Sequence, residues 1–349
     1  MKRLTLLSAL VLLALAAVWL TTTDGAPVKI GQPFGKIVRL DPAFDELIGK
    51  DAELEVLAGG HVWTEGPVWV PREGGFLLFS DIPRNRVYKW QEGKGESVFL
   101  EPAGYTGRAT NLKEPGSNGL MLDPDGKLVL MEHGDRRVAR LEDWASKKKK
   151  TLADRYEDKR LNSPNDGTYK SNGDLYFTDP PYGRMLKDGK ADEFPDRDLD
   201  FCGVYRLSKD GKLTLLTKEM TKPNGIALSP DEKTLYVANS DPKKAIWMAF
   251  PIKDDGTLGE GKVFFDATKM VHADNPGLPD GMKVDAKGNL FATGPGGVLI
   301  FTAEGKHLGT IATGVPTANC AFGNDGSMLY VCADKSLTRI KTKTKGKGF

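Results

Sequence analysis

Six short polar motifs recur along the chain, each placed next to an apolar strand candidate. Oxygen donors dominate them, without His or Cys, and such donors suit hard cations such as Ca²⁺ and Mg²⁺ better than Zn²⁺. Two carboxylates would also repel each other in a dry site unless a cation lay between them. The residue types predict one divalent cation, Ca²⁺ in the first place, with Mg²⁺ or Zn²⁺ as alternatives. The equivalent residues are Glu65, Asn118, Asn165, Asn224, Asp280 and Asn319.

The segments around these motifs predict strands. Each motif leads into an apolar strand, a turn rich in Asp and Gly, and a second apolar strand, which is a hairpin signal. The motifs recur at intervals of 39 to 59 residues, the length of one four-stranded propeller blade. A further strand candidate stands between successive motifs, at 96–100, 150–153, 213–217, 262–266 and 308–312.

An all-β, six-bladed β-propeller accounts for this pattern. The sixth outer strand, 54–57, precedes the first motif, whereas the chain ends after the strand 337–341 without one. We therefore predict that this N-terminal strand completes the last blade and closes the ring, which removes a sheet edge. Residues 24–50 are predicted to be a leader and residues 51–345 the propeller. Radial symmetry would bring the six polar side chains to one end of the central channel.

Composition excludes some functions. The 349 residues carry 49 basic and 47 acidic side chains, a net charge of +2, so no overall field attracts nucleic acid or an anionic membrane. Basic residues cluster only at 147–150 and 341–347. We interpret these clusters as a solvated turn and a frayed terminus rather than as a polyanion site.

The N-terminus resembles an export signal. Residues 1–23 contain Met-Lys-Arg, an apolar run over 4–20 and a polar stretch, so we expect a periplasmic or secreted protein. The apolar run approaches the length that spans a bilayer, which leaves an uncleaved membrane anchor open. Three cysteines do not make a disulfide scaffold, and we expect Cys320 and Cys332 to be buried free thiols rather than a bridge.

Several motifs together resemble the SMP-30/gluconolactonase/LRE-like family, in particular its bacterial gluconolactonase branch. The resemblance extends over roughly residues 50–341 and implies that Glu65, Asn165, Asn224 and Asp280 surround a catalytic metal. It also implies hydrolysis of a small-molecule lactone or, as in some members, of a phosphotriester. Some relatives have an Arg that grips sugar hydroxyls where this chain has Ser163, so the sugar preference is open. The motifs are TEGP (64–67), LNSPNDG (161–167), YFTDPPYG (176–183), PNG (223–225) and PDGM (279–282).

Roles for individual side chains follow from this chemistry. A metal would polarise the lactone carbonyl and stabilise the oxyanion formed on attack. Asp280 is the candidate general base for the attacking water, and Glu65 is mainly a ligand. We predict that Asn118 and Ser163 contact the substrate. His133 is either a proton shuttle at the channel rim or a structural histidine.

Other functions remain as alternatives. A nucleophile elbow of the Gly-x-Ser-x-Gly type is missing from the sequence, and the glycine-rich segment 293–297 lacks the Lys and Ser or Thr of a phosphate loop. A non-catalytic propeller could bind a protein or glycan and use the metal only as a tie between blades. A metal-free enzyme of the strictosidine synthase-like kind is disfavoured by the paired carboxylates. A catalytic metal keeps an open position, whereas a structural one is closed by protein.

Overall fold

A computed structural model describes residues 30–108, 110–190 and 193–349, and its strands form seven antiparallel sheets: six are the blades of a propeller, and the seventh is a two-stranded hairpin between the second and third blades. The blades contain, in order, β3–β6, β7–β10, β13–β16, β17–β20, β21–β24 and β25–β27 with β2. Strand bounds are β1 Lys36–Arg39, β2 Glu55–Ala58, β3 Thr64–Val70, β4 Phe76–Asp81, β5 Arg86–Gln91, β6 Gly95–Leu100, β7 Ser117–Leu122, β8 Leu128–Glu132, β9 Arg137–Leu141, β10 Lys149–Ala153, β11 Arg155–Tyr156, β12 Lys159–Arg160, β13 Gly167–Tyr169, β14 Leu175–Asp179, β15 Gly203–Leu207, β16 Leu213–Thr217, β17 Pro223–Leu228, β18 Thr234–Asp241, β19 Lys244–Pro251, β20 Lys262–Asp266, β21 Met282–Val284, β22 Leu290–Gly294, β23 Gly297–Phe301, β24 His307–Ala312, β25 Thr317–Gly323, β26 Met328–Ala333 and β27 Ser336–Lys341.

The outer strands of the blades agree with the sequence pattern. The five candidates between the motifs overlap β6, β10, β16, β20 and β24. The sixth candidate, 54–57, overlaps β2, which pairs antiparallel with β27 so that Glu55 lies opposite Arg339. The N-terminal strand β2 and the last strand β27 thus share the sheet of the sixth blade.

The segment predicted as a leader, 24–50, is in part a structural element. β1 pairs antiparallel with β24 as a fifth strand of the fifth blade. A 3₁₀ helix, Pro42–Glu46, follows it, and its residue Phe44 is fully buried in the cluster between the fifth and sixth blades. Phe44, Leu47 and Ile48 of this segment therefore pack on the ring, although no repeat in the sequence predicted it.

Apolar packing between neighbouring blades forms the core. Six buried clusters occur in the described residues, one for each interface between adjacent blades. Between the last and first blades, Trp69 stacks on Tyr330 with ring centroids 5.8 Å apart. All three cysteines are buried and free. The alternating apolar residues of each strand thus face the next blade.

The C-terminal residues after β27 are bound to the ring. The Lys347 N–H donates to the carbonyl of Val284 at 2.9 Å, and the Thr344 hydroxyl donates to Asp285 at 2.8 Å. The interpretation of 341–347 as a frayed terminus was therefore wrong, because hydrogen bonds to other blades order the segment.

The lysines at 147–150 have separate partners as well. Lys147 Nζ lies 3.4 Å from the centroid of the Phe99 ring, and Lys149 pairs with the buried carboxylate of Glu132. Lys147 and Lys149 therefore contact other residues of the protein rather than solvent alone.

The predicted export segment 1–23 lies outside the described residues. Of the helices that the structure describes, none has the length and apolar character needed to cross a membrane.

Candidate metal and active site

One end of the central channel carries irregular strand pairing in four of the six blades. The register shifts between Glu65 and Val68 in β3 and between Pro223 and Ile226 in β17, and β7 and β25 have the same feature at their motifs. A β-bulge interrupts the alternation of side chains and redirects one of them. At these four motifs the bulge redirects a polar side chain, whereas Asn165 and Asp280 precede β13 and β21, which have no such shift.

Glycine follows most of these polar residues because neighbouring blades approach very closely here. A Cβ atom on Gly66 would lie 2.2 Å from the carbonyl oxygen of Asn118, and one on Gly225 would lie 2.1 Å from that of Asp280. No larger residue fits at either position without moving the backbone. Each glycine thus lets the polar motif of the next blade pack beside its own.

Hydroxyl groups on the second strand of a blade donate hydrogen bonds to the backbone of the neighbouring polar motif. Ser80 Oγ donates to the carbonyl of Asn118 at 2.9 Å, and Thr178 Oγ1 donates to that of Asn224 at 2.7 Å. Both hydroxyls are buried. The first and third blades therefore hold the backbone of the site residue that the next blade supplies.

A cavity of about 450 Å³ opens over this end of the channel, and its wall contains all four residues expected as metal ligands together with Asn118. The Oδ1 atoms of Asn118, Asn165, Asn224 and Asp280 are buried and have no hydrogen-bond partner in the part of the chain that the structure describes. Buried polar atoms without a partner are rare in folded proteins. Four around one cavity form a donor set suited to a cation.

Glu65 is held by two protein donors. Its Oε2 accepts hydrogen bonds from the Gly66 N–H at 2.7 Å and from the side-chain amide of Asn319 at 3.1 Å. The same amide nitrogen lies 3.4 Å from Oδ2 of Asp166. Asn319 thus joins two buried carboxylates, and Oε1 of Glu65 remains for a ligand.

The carboxylates around the channel disfavour one another's charge. Burial raises the pKa of Glu65 to about 8, and the nearby charge of Asp166 adds to this effect. The pKa of Asp280 lies well above its usual range because of burial and the charges of Glu65 and Asp166. A cation among these groups would favour their ionised forms. The electrostatics therefore fit a divalent ion.

Among residues 30–108, 110–190 and 193–349, no three His, Cys, Asp or Glu side chains are grouped so that they could hold a metal ion. The predicted donor set is of another kind, because it combines the two carboxylates Glu65 and Asp280 with asparagine oxygens.

Two residues predicted to be functional lie outside the cavity wall. Ser163 is buried, and its Oγ donates to the carbonyl of Pro180 at 2.6 Å and accepts from the Gly183 N–H at 3.0 Å, so it stabilises a turn. His133 is fully buried rather than at the channel rim, and burial lowers its pKa to about 3. A neutral, enclosed imidazole is not placed to exchange protons with the cavity.

Several wall residues were not predicted from the sequence as site residues. Trp63, Tyr182, Lys222 and Glu114 all line the cavity. Tyr182 belongs to the YFTDPPYG motif, which was a usable signal. Glu114 stands in a loop four residues before Asn118, where no strand period indicates its direction.

The family model described as "SMP-30/Gluconolactonase/LRE-like region" matches residues 63–335. A gluconolactonase from Zymomonas mobilis is 39% identical over 358 residues, with 99% of each chain covered. A pentonolactonase from Haloferax volcanii is 27% identical over 277 residues, covering 76% of this chain and 80% of the relative.

Solved structures share the fold. A gluconolactonase from Xanthomonas campestris has a TM-score of 0.76 at 31% identity and covers 92% of this chain and 99% of that one. A calcium-binding regucalcin from Agrobacterium tumefaciens, with a TM-score of 0.62 at 21% identity over 92% of this chain and 98% of that one, supports the fold alone. The family model and the 39% identical gluconolactonase show that the chain belongs to the SMP-30/gluconolactonase/LRE-like family.

Proposed function

We propose that this protein hydrolyses small lactones with one divalent cation, preferably Ca²⁺, held at the site end of the channel. The observation that carries the proposal is the set of four buried, unpartnered oxygens, those of Asn118, Asn165, Asn224 and Asp280, around a cavity large enough for a small substrate. The gluconolactonases among the relatives, at 39% and 31% identity, support the lactone as substrate class.

The residues present fit a hard cation. Glu65, Asn165, Asn224 and Asp280 would hold it through two carboxylates and two amide oxygens, and the orphaned Oδ1 of Asn118 is a further oxygen donor beside them. When bound, the ion supplies Lewis-acid polarisation of the lactone carbonyl and stabilises negative charge on its oxygen. The open cavity beside these oxygens favours catalysis over a purely structural tie between blades.

Asp280 is the residue proposed to remove a proton from the attacking water. It is partly exposed to the cavity, and its Oδ1 receives no hydrogen bond from the described residues. Glu65 is less available, since two donors already occupy its Oε2. A positioned general base typically contributes a factor of about 10² to 10⁴ to the rate. We therefore assign Asp280 as base and Glu65 as ligand.

A lactone panel tests the proposal directly. Purified protein is assayed on γ- and δ-lactones by pH-stat, as isolated, after chelation, and after addition of Ca²⁺, Mg²⁺ or Zn²⁺. We expect hydrolysis that chelation abolishes and Ca²⁺ restores. Hydrolysis that survives complete metal removal would refute the metal dependence. A protein that binds Ca²⁺ yet hydrolyses none of the lactones would instead support a non-catalytic propeller.

A further inference from the structure

Glu114 is an acidic side chain of the cavity wall that has no role in the proposed hydrolysis. About 20% of its side chain is exposed, and this part faces the cavity. No hydrogen-bond donor to its carboxylate is found in the described residues, and burial raises its pKa to about 7, an effect that the charge of Lys113 opposes. The Nδ1 atom of His133 lies 3.9 Å from Oε2 of Glu114, too far for a hydrogen bond.

The backbone around Glu114 is held on both sides. The Lys113 N–H donates to the carbonyl of Met185 at 2.8 Å, and the Gly134 N–H donates to that of Pro115 at 3.1 Å. The backbone of Glu114 is therefore fixed at the cavity wall.

The protein interior does not compensate the Glu114 carboxylate. His133, directly behind it, is fully buried and neutral because burial lowers its pKa to about 3. A carboxylate that is largely removed from water needs hydrogen-bond donors to offset its lost hydration. On the open side of Glu114, water in the cavity supplies such donors, and a bound molecule that displaces this water must replace them.

We infer that Glu114 determines substrate specificity by accepting hydrogen bonds from hydroxyl groups on the lactone ring. Its two oxygens can accept from neighbouring hydroxyls, whereas an unsubstituted ring would leave them desolvated and unpaired. The inference rests on the proposed function and gives Glu114 no part in bond breaking. It explains how a site without the sugar-gripping arginine, at the position of Ser163, can select hydroxylated lactones.

Paired substrates test this assignment. Wild type and Glu114→Gln are compared on D-glucono-δ-lactone and on unsubstituted δ-valerolactone at saturating Ca²⁺ and at pH 8, above the pKa of about 7 of the Glu114 carboxyl. Since hydrogen bonds to a charged group are worth a factor of about 10 to 100, kcat/KM for gluconolactone should fall by about that factor. The value for valerolactone should not fall, because this ring offers the side chain no hydrogen bond. Equal losses on both substrates, or no loss on either, would overturn the inference.

A binding measurement separates this inference from the proposed function. 1,5-Anhydro-D-glucitol carries the ring hydroxyls without a carbonyl, so it reports hydroxyl recognition even if no lactone is hydrolysed. Calorimetry should give a Kd about tenfold or more higher for Glu114→Gln than for wild type. Failure of wild type to bind the polyol, or equal affinity in both proteins, would contradict the role of Glu114. A wild type that binds the polyol but hydrolyses no lactone would refute only the proposed function.

Two variants serve as controls. Glu101→Gln removes an exposed carboxylate that pairs with Arg86 outside the cavity, and it should change neither substrate ratio nor polyol affinity. Glu114→Asp keeps the charge but withdraws it by one methylene, so it should recover part of the discrimination that Glu114→Gln loses. Thermal unfolding of each variant verifies that the fold is retained, and no recovery with Asp would indicate a purely structural effect.

Discussion

The two ends of the central channel consist of the same innermost strands but differ in chemistry. At the site end, the strands begin with residues such as Glu65 and Asn224, whose oxygens face the cavity of about 450 Å³. At the opposite end, which we call the tail end, a second cavity of about 400 Å³ is lined by Val68, Ile226 and Phe322 and by the C-terminal residues. Two to three residues along a strand thus separate polar from apolar surroundings.

This difference separates function from stability. Unpartnered oxygens and buried carboxylates at the site end cost folding free energy, and binding a cation would offset that cost. Apolar side chains and the bound C-terminal segment at the tail end contribute stability without contacting the site. Substitutions at the site end should therefore change turnover and metal affinity, whereas substitutions at the tail end should change mainly the free energy of unfolding.

The largest effect is expected for Asp280→Asn at the site end. Asparagine keeps an oxygen for the ion but cannot accept a proton, so kcat should fall by about 10²-fold or more while metal affinity falls modestly. Steady-state kinetics at rising Ca²⁺, with Kd from calorimetry, measures both quantities. If Asp280→Asn had near wild-type turnover at saturating Ca²⁺, Asp280 would be a metal ligand only and not the general base.

Asn224→Ala is the matched control for that experiment. It removes an oxygen donor but no base, so much of its lost activity should return at high Ca²⁺. If Asn224→Ala and Asp280→Asn responded identically to added metal, the distinction between ligand and base would fail.

The next largest effect is expected at the tail end, for Phe322→Ala. Phe322 is 5% exposed and packs edge-to-face on Phe291 with ring centroids 5.1 Å apart. Loss of a buried aromatic side chain costs about 3–5 kcal/mol. Urea unfolding should show that loss, while kcat and Ca²⁺ affinity at 25 °C stay within about twofold. A large loss of kcat in the folded variant would show that the two ends are coupled.

A smaller effect is expected for Glu232→Gln, which weakens the attachment of the C-terminal segment. Glu232 accepts a hydrogen bond from the Ser171 hydroxyl at 2.6 Å and pairs with Lys170 and Lys347, both at 3.3 Å. These contacts lower its pKa to about 2, against the cost of burial. Its stabilisation is therefore present above pH 4.5 and lost as pH falls towards 2. Thermal unfolding should show Glu232→Gln less stable by about 1 kcal/mol at pH 7, with the difference shrinking at pH 3.

The smallest effect concerns the pH dependence contributed by His61. Burial opposes its charge, but Asp81 and Glu96 outweigh this and raise its pKa, with Nε2 at 2.9 Å from Glu96. The pair should stabilise the fold below pH 6.5 and lose that contribution as pH rises through the folded-state pKa. Melting temperatures of wild type and His61→Gln from pH 5.5 to 8.5 should converge at the alkaline end. A constant difference would refute the charged pair.

Much of the ring was predictable because its signals are local. Apolar alternation and turn residues mark each hairpin, and the outer strands β16 and β20 have the predicted bounds. The first strand, β1, was missed because its four residues lie within the predicted leader and carry no repeat, and only contact with β24 makes them a strand. The C-terminal segment was misjudged for a related reason, since its lysines look solvated until their partners on other blades are known.

For the candidate site, the sequence by itself determined the residue types: six polar motifs at blade-length intervals and a donor set of oxygens. Only the tertiary structure decided which oxygens are left without partners, because that depends on backbone groups of neighbouring blades. It also decided that Ser163 and His133 lie behind the wall and that Glu114 lies in it. Side chains alternate in direction along a strand, but a loop has no such regular alternation. Contacts across the ring therefore determine whether a loop side chain faces the cavity or the protein interior.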